Sequence, residues 1–342
     1  MKLQHVSTIV ECPDMSALAW DDEELIDVLS GRAIQLDGTV SSRAFSTPYP
    51  FDRAFCTRSG DTLWTLAYLN RGTKAVLSRN WEVHRDLNRS YYFAYAYDYP
   101  IALGRLPTGR TVVVHCPKAF NVVECEDAES GEILWTKKTD GMEFHSRLSI
   151  SPNGKFLLSA GWFWHPLGGA WLCSLEDDSG ELDKEVAFSF GAEIDSAAFL
   201  DDDNVVISST GEVVNEETPK SGLGPLQLGV WSISGAKWLS TVAIATTTGT
   251  IMPWRDWVIS FYEHPKAIEL ATGKVVYVWD HLDSGRQIGS IELGTPSPPR
   301  MALNAKKGRF AIRDENTIHV VSLETGERAN RAAVSKSLNS NL

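Results

Sequence analysis

Three histidines stand next to prolines or cysteines in this chain: His115 in VVHCPKA, His165 in FWHPLGG and His264 in YEHPKA. Imidazole is a common zinc ligand, so a shared metal centre is the first chemistry to weigh. It fails on geometry, because zinc draws its nitrogens to about 2.0–2.1 Å from one point. On the repeat reading below, these loops belong to units splayed away from one another. Proline there sets a bend in the chain. His115 and Cys116 have the types of a base and a nucleophile, but neighbours on a strand point to opposite sides and cannot easily share a proton. The five cysteines, Cys12, Cys56, Cys116, Cys125 and Cys173, form no CxxC pair and read as small buried apolar residues in a reducing compartment. Acidic runs at 21–24, 176–178 and 201–203 fall at turns and supply no calcium cage. With no nucleophile elbow, P-loop, dinucleotide glycine fingerprint or HExxH helix, the expectation is a protein that is not an enzyme and carries no cofactor or metal.

Aromatic residues offer a different chemistry. GWFWHPLGG, residues 161–169, crowds Trp162, Phe163, Trp164 and His165 together. YYFAYAYDYP, residues 91–100, alternates Phe93, Tyr95, Tyr97 and Tyr99 on one side. Exposed tryptophan and tyrosine anchor protein interfaces, and they also stack on sugars or bases. Which role applies depends on the elements that hold them.

Those elements are legible from turns. LSGR at 29–32, ESGE at 129–132, DSGE at 178–181, ISGA at 233–236, ATGK at 271–274 and ETGE at 324–327 each follow an apolar alternating stretch. Glycine supplies the positive φ of tight hairpins. Asn80, in AVLSRNWEVHRDL, fills the one double gap and brings the count to seven units. A second marker, a polar corner before an apolar strand, recurs at roughly fifty residues, as in RSGDTLWTLAY, PTGRTVVVHC and SPNGKFLLSAG. Two hairpins per unit predict an all-β, seven-bladed β-propeller of four-stranded antiparallel blades, with strands a to d running outward. In blade six, WDHLDSGR at 279–286 competes with ATGK for the turn.

HSRLSISPNGKFLLSAG, residues 145–161, resembles the WD40 repeat, and EDAESGEILW, 126–135, is similar to repeats of quinoprotein-like propellers. The resemblance implies the same fold either way. It assigns His145 and Ser159 to the WD40-like histidine and strand serine, although LCSLEDD replaces the Trp-Asp ending of the third strand.

Residues 1–334 are expected to form a single propeller and 335–342 a disordered tail. Read consecutively, 4–10 is strand a of blade one and 328–334 a weak outer strand of blade seven; alternatively, the N-terminal segment completes blade seven. In blade four, Gly161 is expected to end strand b and Gly168-Gly169 to turn the chain into strand c. That places Trp162 to His165 in a loop on the top face, where the bc loops and the linkers between blades lie. Trp162 reads equally well as blade packing, and His165 as a loop-shaping hydrogen-bonder. A long polar bc segment, 210–227, marks blade five as carrying a recognition loop or a disordered one.

Net charge of −12 opposes attraction to nucleic acid or an anionic membrane and favours a basic partner. The sequence has neither an export-type N-terminus nor a run of eighteen apolar residues. The reading is therefore a cytoplasmic, WD40-like interaction module that recognises a protein through its top face. Its expected contact residues are Trp164, His165, Trp162, Tyr95, Tyr97, Tyr99 and His145. Two alternatives stay open. One is a propeller enzyme of lactonase or glycan hydrolase or lyase type, with His145 or Arg255 near a top-face channel. The other is an acidic neutraliser of a basic toxin or nuclease.

Overall fold

Short apolar strands punctuated by turn residues fold here into seven antiparallel sheets, six of them four-stranded. The seventh, blade four, has its inner strand in two pieces, Glu143–Phe144 and Leu148–Ile150, broken where Arg147 takes a φ of 43°. The computed structural model describes residues 2–12, 15–139, 142–164, 166–175, 186–188, 191–214, 222–291 and 298–325, and no helix occurs among them. Buried side chains of neighbouring blades interleave to make the core. Trp64, Leu66 and Leu77 of blade two, for example, pack with Ile101 and Val113 of blade three. Leu158 and Leu172 of blade four pack with Ile207 and Trp231 of blade five.

The turn signature does its predicted work between strands c and d of several blades. In blade two, Asn80 and Trp81 adopt φ of 49° and 73° between Lys74–Arg79 and Glu82–Asn88. The Asn80 carboxamide oxygen accepts the Leu63 N–H at 2.8 Å, which is why asparagine serves where other units use glycine. Blade six turns at ATGK, between Lys266–Glu269 and Val275–Val278, so residues 279–286 belong to the linker that follows. Blade one departs from the pattern. Gly31 lies between strands b, Glu24–Asp27, and c, Arg32–Ile34, and the outer hairpin turns instead at Gly38. The turns of DSGE and ETGE, the centre of the blade-five insertion, and the segments 328–334 and 335–342 lie outside the described residues.

Blade one departs because the N-terminal strand belongs to another sheet. Leu3–Glu11 pairs antiparallel along Thr317–Thr325, from Leu3 opposite Thr325 to Glu11 opposite Thr317. It is therefore strand d of blade seven, and the consecutive reading of 4–10 as strand a of blade one is corrected. Strand a of blade one is Leu18–Asp21. One blade built from both ends of the chain removes the open edges that two separate terminal blades would leave.

Candidate functional site

Blade four holds the aromatic stretch, but in a different local structure from the one its glycines suggest. Strand b runs Phe156–Phe163 and strand c Leu167–Ser174, with Gly161 opposite Gly169 and Trp162 opposite Gly168. The glycines therefore sit inside the ladder, which runs out to Phe163 opposite Leu167. Close approach of backbone explains them. A Cβ on Gly161 would stand 2.0 Å from the Phe144 carbonyl oxygen, and one on Gly168 2.1 Å from that of Ile194. Glycine lets strand a of the same blade and strand a of the next press against this hairpin.

That approach sets up a stack of rings. Phe144 lies face to face on Trp162 at 3.7 Å between centroids and on Phe120 at 3.9 Å on its other side. Tyr97 closes the group edge-on to both Phe144 and Trp162. Tyr97, Phe144 and Trp162 are buried together. Over this floor lies the linker from blade two to blade three. It is a run of turns and not the alternating segment expected: Ala94 donates to the Tyr91 carbonyl, Ala96 to that of Phe93, and Phe93 has a φ of 52°. Turning hides Tyr97 and Tyr99 and lifts Tyr91, Tyr92 and Tyr95 to 76%, 49% and 67% exposure. Trp164, 41% exposed, meets the Phe93 ring at 5.8 Å, and its N–H donates to the carbonyl of Met142, which is 52% exposed.

Of the expected contact residues, Trp164 and Tyr95 thus stand on one open aromatic surface. Trp162, Tyr97, Tyr99 and His145 do not reach solvent, each 5% exposed or less, and their expected role in partner contact is corrected to support. Tyr97 and Tyr99 flank the buried guanidinium of Arg89, which lies 4.0 and 5.1 Å from their ring centroids. His145 is walled in by Trp171 and shares a hydrogen bond of 3.1 Å with Ser159, the pair that the WD40 resemblance implied. His165 lies outside the described residues. Tyr91, Tyr92, Phe120, Met142 and Phe144 escaped the sequence reading, since only the fold brings their loops together.

The top of the central channel is occupied by protein. Asp98, at the end of the blade two–three linker, accepts from Arg147 Nε at 2.6 Å, Asn70 Nδ2 at 2.6 Å and Gln287 Nε2 at 2.9 Å, with Arg71 at 3.3 Å. Gln287 and Ser290 belong to the blade six–seven linker, which also bridges Ile291 to Tyr97 and donates the Gly289 N–H to Asp195 of blade five. A segment that touches blade five on one side and the blade two–three linker on the other spans the channel entrance. Burial alone would raise the Asp98 carboxyl, but the Arg147 and Arg71 guanidiniums hold it below its ordinary value.

Residues singled out for catalysis do not converge. Arg255 lies in the ab turn of blade six, on the opposite face from the linkers, where it lines a cavity of about 930 Å³ with Trp254, Asp256, Lys306 and Lys307. Its expected place near the top is corrected. His115 is buried against Glu126 at 2.9 Å, and His264 Nδ1 lies 2.8 Å from the Leu282 carbonyl oxygen. Burial pushes the Cys116 thiol up, away from thiolate chemistry.

Solved structures share this arrangement of blades. BamB from Moraxella catarrhalis is similar over 94% of this chain and 98% of its own, with a TM-score of 0.53 and 14% identity. The Pan2 WD40 domain of Neurospora crassa is similar over 90% of this chain and 88% of its own, with a TM-score of 0.52 and 13% identity. The chain has the WD40-like seven-bladed propeller fold. No protein-family model matches the sequence, and no curated protein matches it.

Within this propeller the buried histidine of blade four gives a pH signature. Burial lowers the His145 pKa from 6.5 to about 4. The unfolded chain then binds a proton that the folded chain refuses, so stability falls as pH drops through 6.5 and levels off below about 4. Roughly 1.4 kcal/mol per pH unit makes the loss about 3 kcal/mol in all. Chemical denaturation between pH 7.5 and 4.5 should show His145→Gln with a markedly flatter profile than wild type; parallel profiles would contradict a neutral, buried His145.

Proposed function

We propose that this propeller is a non-enzymatic interaction module that takes a protein partner on its top face, at the surface made by Tyr91, Tyr92, Tyr95, Met142 and Trp164. One observation carries this reading: Tyr92, Tyr95 and Trp164, all at least 41% exposed, meet the rings of Phe144 and Phe93 over a buried stack, and Tyr91 and Met142 are exposed on the same loops. Scattered single exposed apolar residues need no explanation, whereas a gathered set of amphipathic rings has the composition of an interface anchor. Rings held by stacking lose little conformational freedom on binding, which favours affinity.

The covered channel entrance and the separation of Arg255 from His145 support a binding role over catalysis at the top of the channel. Net charge of −12 supports a protein with a basic surface, and no nucleic acid or membrane, as the partner. Five free thiols, with those of Cys56 and Cys125 pushed up to about 12 by burial, suit a reducing cytoplasm.

Affinity capture on the immobilised chain, repeated with Trp164→Ala/Tyr95→Ala, tests the site. The reading expects a captured protein that the double variant loses at an unchanged melting temperature. Capture that survives the double variant but vanishes with modest salt would move the contact to the acidic surface, as the neutraliser reading requires.

A further inference from the structure

Arg89 follows directly on the outer strand of blade two, Glu82–Asn88, and its side chain turns inward beneath the linker to blade three, where it is 1% exposed. Its Nη1 donates to the Tyr97 carbonyl at 3.2 Å, while Nε and Nη2 are buried without an acceptor. A guanidinium cannot shed its proton, so the charge stays. Cations taken out of water are normally paired with a carboxylate. Among the described residues Arg89 makes no ion pair, and two carboxylates nearby in the fold are committed elsewhere. Asp98, between Tyr97 and Tyr99 in sequence, holds Arg147 and Arg71. Glu124, which like Arg89 acts on the Cys116 thiol, takes Lys118 at 2.7 Å.

The groups around this cation are donors too. Tyr97 and Tyr99 offer it their ring faces, which offset part of the charge without neutralising it. Their hydroxyls are both buried without a partner, and the Arg89 charge acts on each of them. Arginine only donates, so it cannot accept either O–H. Nε–H, Nη2–H and two phenol O–H groups thus surround one positive charge with no acceptor among them. Water would accept from them but bring no charge. We propose that Arg89, Tyr97 and Tyr99 bind a small monovalent anion, of chloride size, enclosed beneath the blade two–three linker. Charge-assisted bonds from a guanidinium and two hydroxyls suit such an ion. Enclosure sets its size: Arg89, Tyr97, Tyr99 and Cys116 are each 2% exposed or less, so neither a partner's carboxylate side chain nor a phosphorylated ligand reaches the guanidinium. The anion braces the segment that carries Tyr91, Tyr92 and Tyr95, whatever that surface binds.

Thermal unfolding of the full chain at fixed pH and ionic strength, with sodium chloride replacing sodium gluconate, tests this. Gluconate is too large for the enclosed site, so a ligand that binds only the folded chain raises Tm in proportion to its occupancy. Wild type is expected to gain Tm as chloride replaces gluconate, and bromide to do the same. Tyr97→Phe/Tyr99→Phe keeps both rings over Arg89 and removes only the hydroxyl donors, and is expected to raise the half-saturating chloride concentration at least tenfold. Crystals grown in bromide should show its anomalous signal beside Arg89 and the two phenols. A wild-type Tm indifferent to the exchange would overturn the proposal. So would a chloride dependence that the double variant leaves intact, or bromide crystals with no anomalous signal at Arg89.

Discussion

Deleting residues 2–11 is expected to abolish the cooperative folded state. That segment supplies all nine rungs of the ladder along Thr317–Thr325 and carries Val10 into the cluster that joins blade seven to blade one. Without it, blade seven keeps three strands and presents a nine-residue edge, TIHVVSLET, that carries Ile318, Val320, Val321 and Leu323. The cost approaches the whole stability of a domain, about 5–15 kcal/mol. Circular dichroism melting should then show no sharp transition, with soluble protein lost to aggregation. The peptide LQHVSTIVE added in trans should restore part of both. A truncated chain melting within a few degrees of wild type would refute closure by a shared blade.

Asp98→Ala is expected to be the most damaging single substitution among the channel residues. The carboxylate binds Arg147, Arg71, Asn70 and Gln287 out of solvent, so its removal leaves two guanidiniums without their shared anion. Breaking a buried ion pair from one side costs about 3–5 kcal/mol. For a chain of this size that corresponds to a fall in Tm of roughly 4–7 °C. Asp98→Asn keeps the shape and loses the charge, and should fall between. The folded-state pKa of Asp98 is lowered, so its contribution is present above the ordinary carboxylate range and disappears only as pH falls through the lower folded value. Differential scanning calorimetry at pH 7 checks the ranking of wild type, Asn and Ala. A loss under about 2 °C for Asp98→Ala would mean that the linkers are held by something else.

Sequence revealed the fold where turns are local. Asn80, Gly131 and Gly273 each need a positive φ, and that need is written at the position itself. Strand closure is not local. Leu3 and Thr325 lie far apart in the chain, and nothing in LQHVSTIVE says which of two edges it will join, so consecutive reading puts the Gly31 turn one strand out of phase. The site was legible in part for the same reason. Trp164 follows from the repeat phase and Tyr95 from its run of rings. Alternation failed for Tyr97 and Tyr99 because Phe93 adopts a positive φ and winds the segment into turns. Phe144 and Phe120 gave no signal, being single aromatics in a short strand and a separate loop that meet only in the folded stack on Trp162. Asp98 and Asp195 were equally silent, since their partners come from blades or linkers distant in sequence.

The equilibrium affinity of the captured partner for wild type, Trp164→Ala/Tyr95→Ala and Trp162→Ala, each with its melting curve, tests the central claim most directly. If the exposed rings are the contact and the buried ring their support, the double variant binds roughly a hundredfold or more weaker with Tm unchanged, as expected when interface anchors are truncated. Trp162→Ala should lose stability by about 3–5 kcal/mol, as core truncations do. A double variant that binds as tightly as wild type would contradict the assignment of this surface.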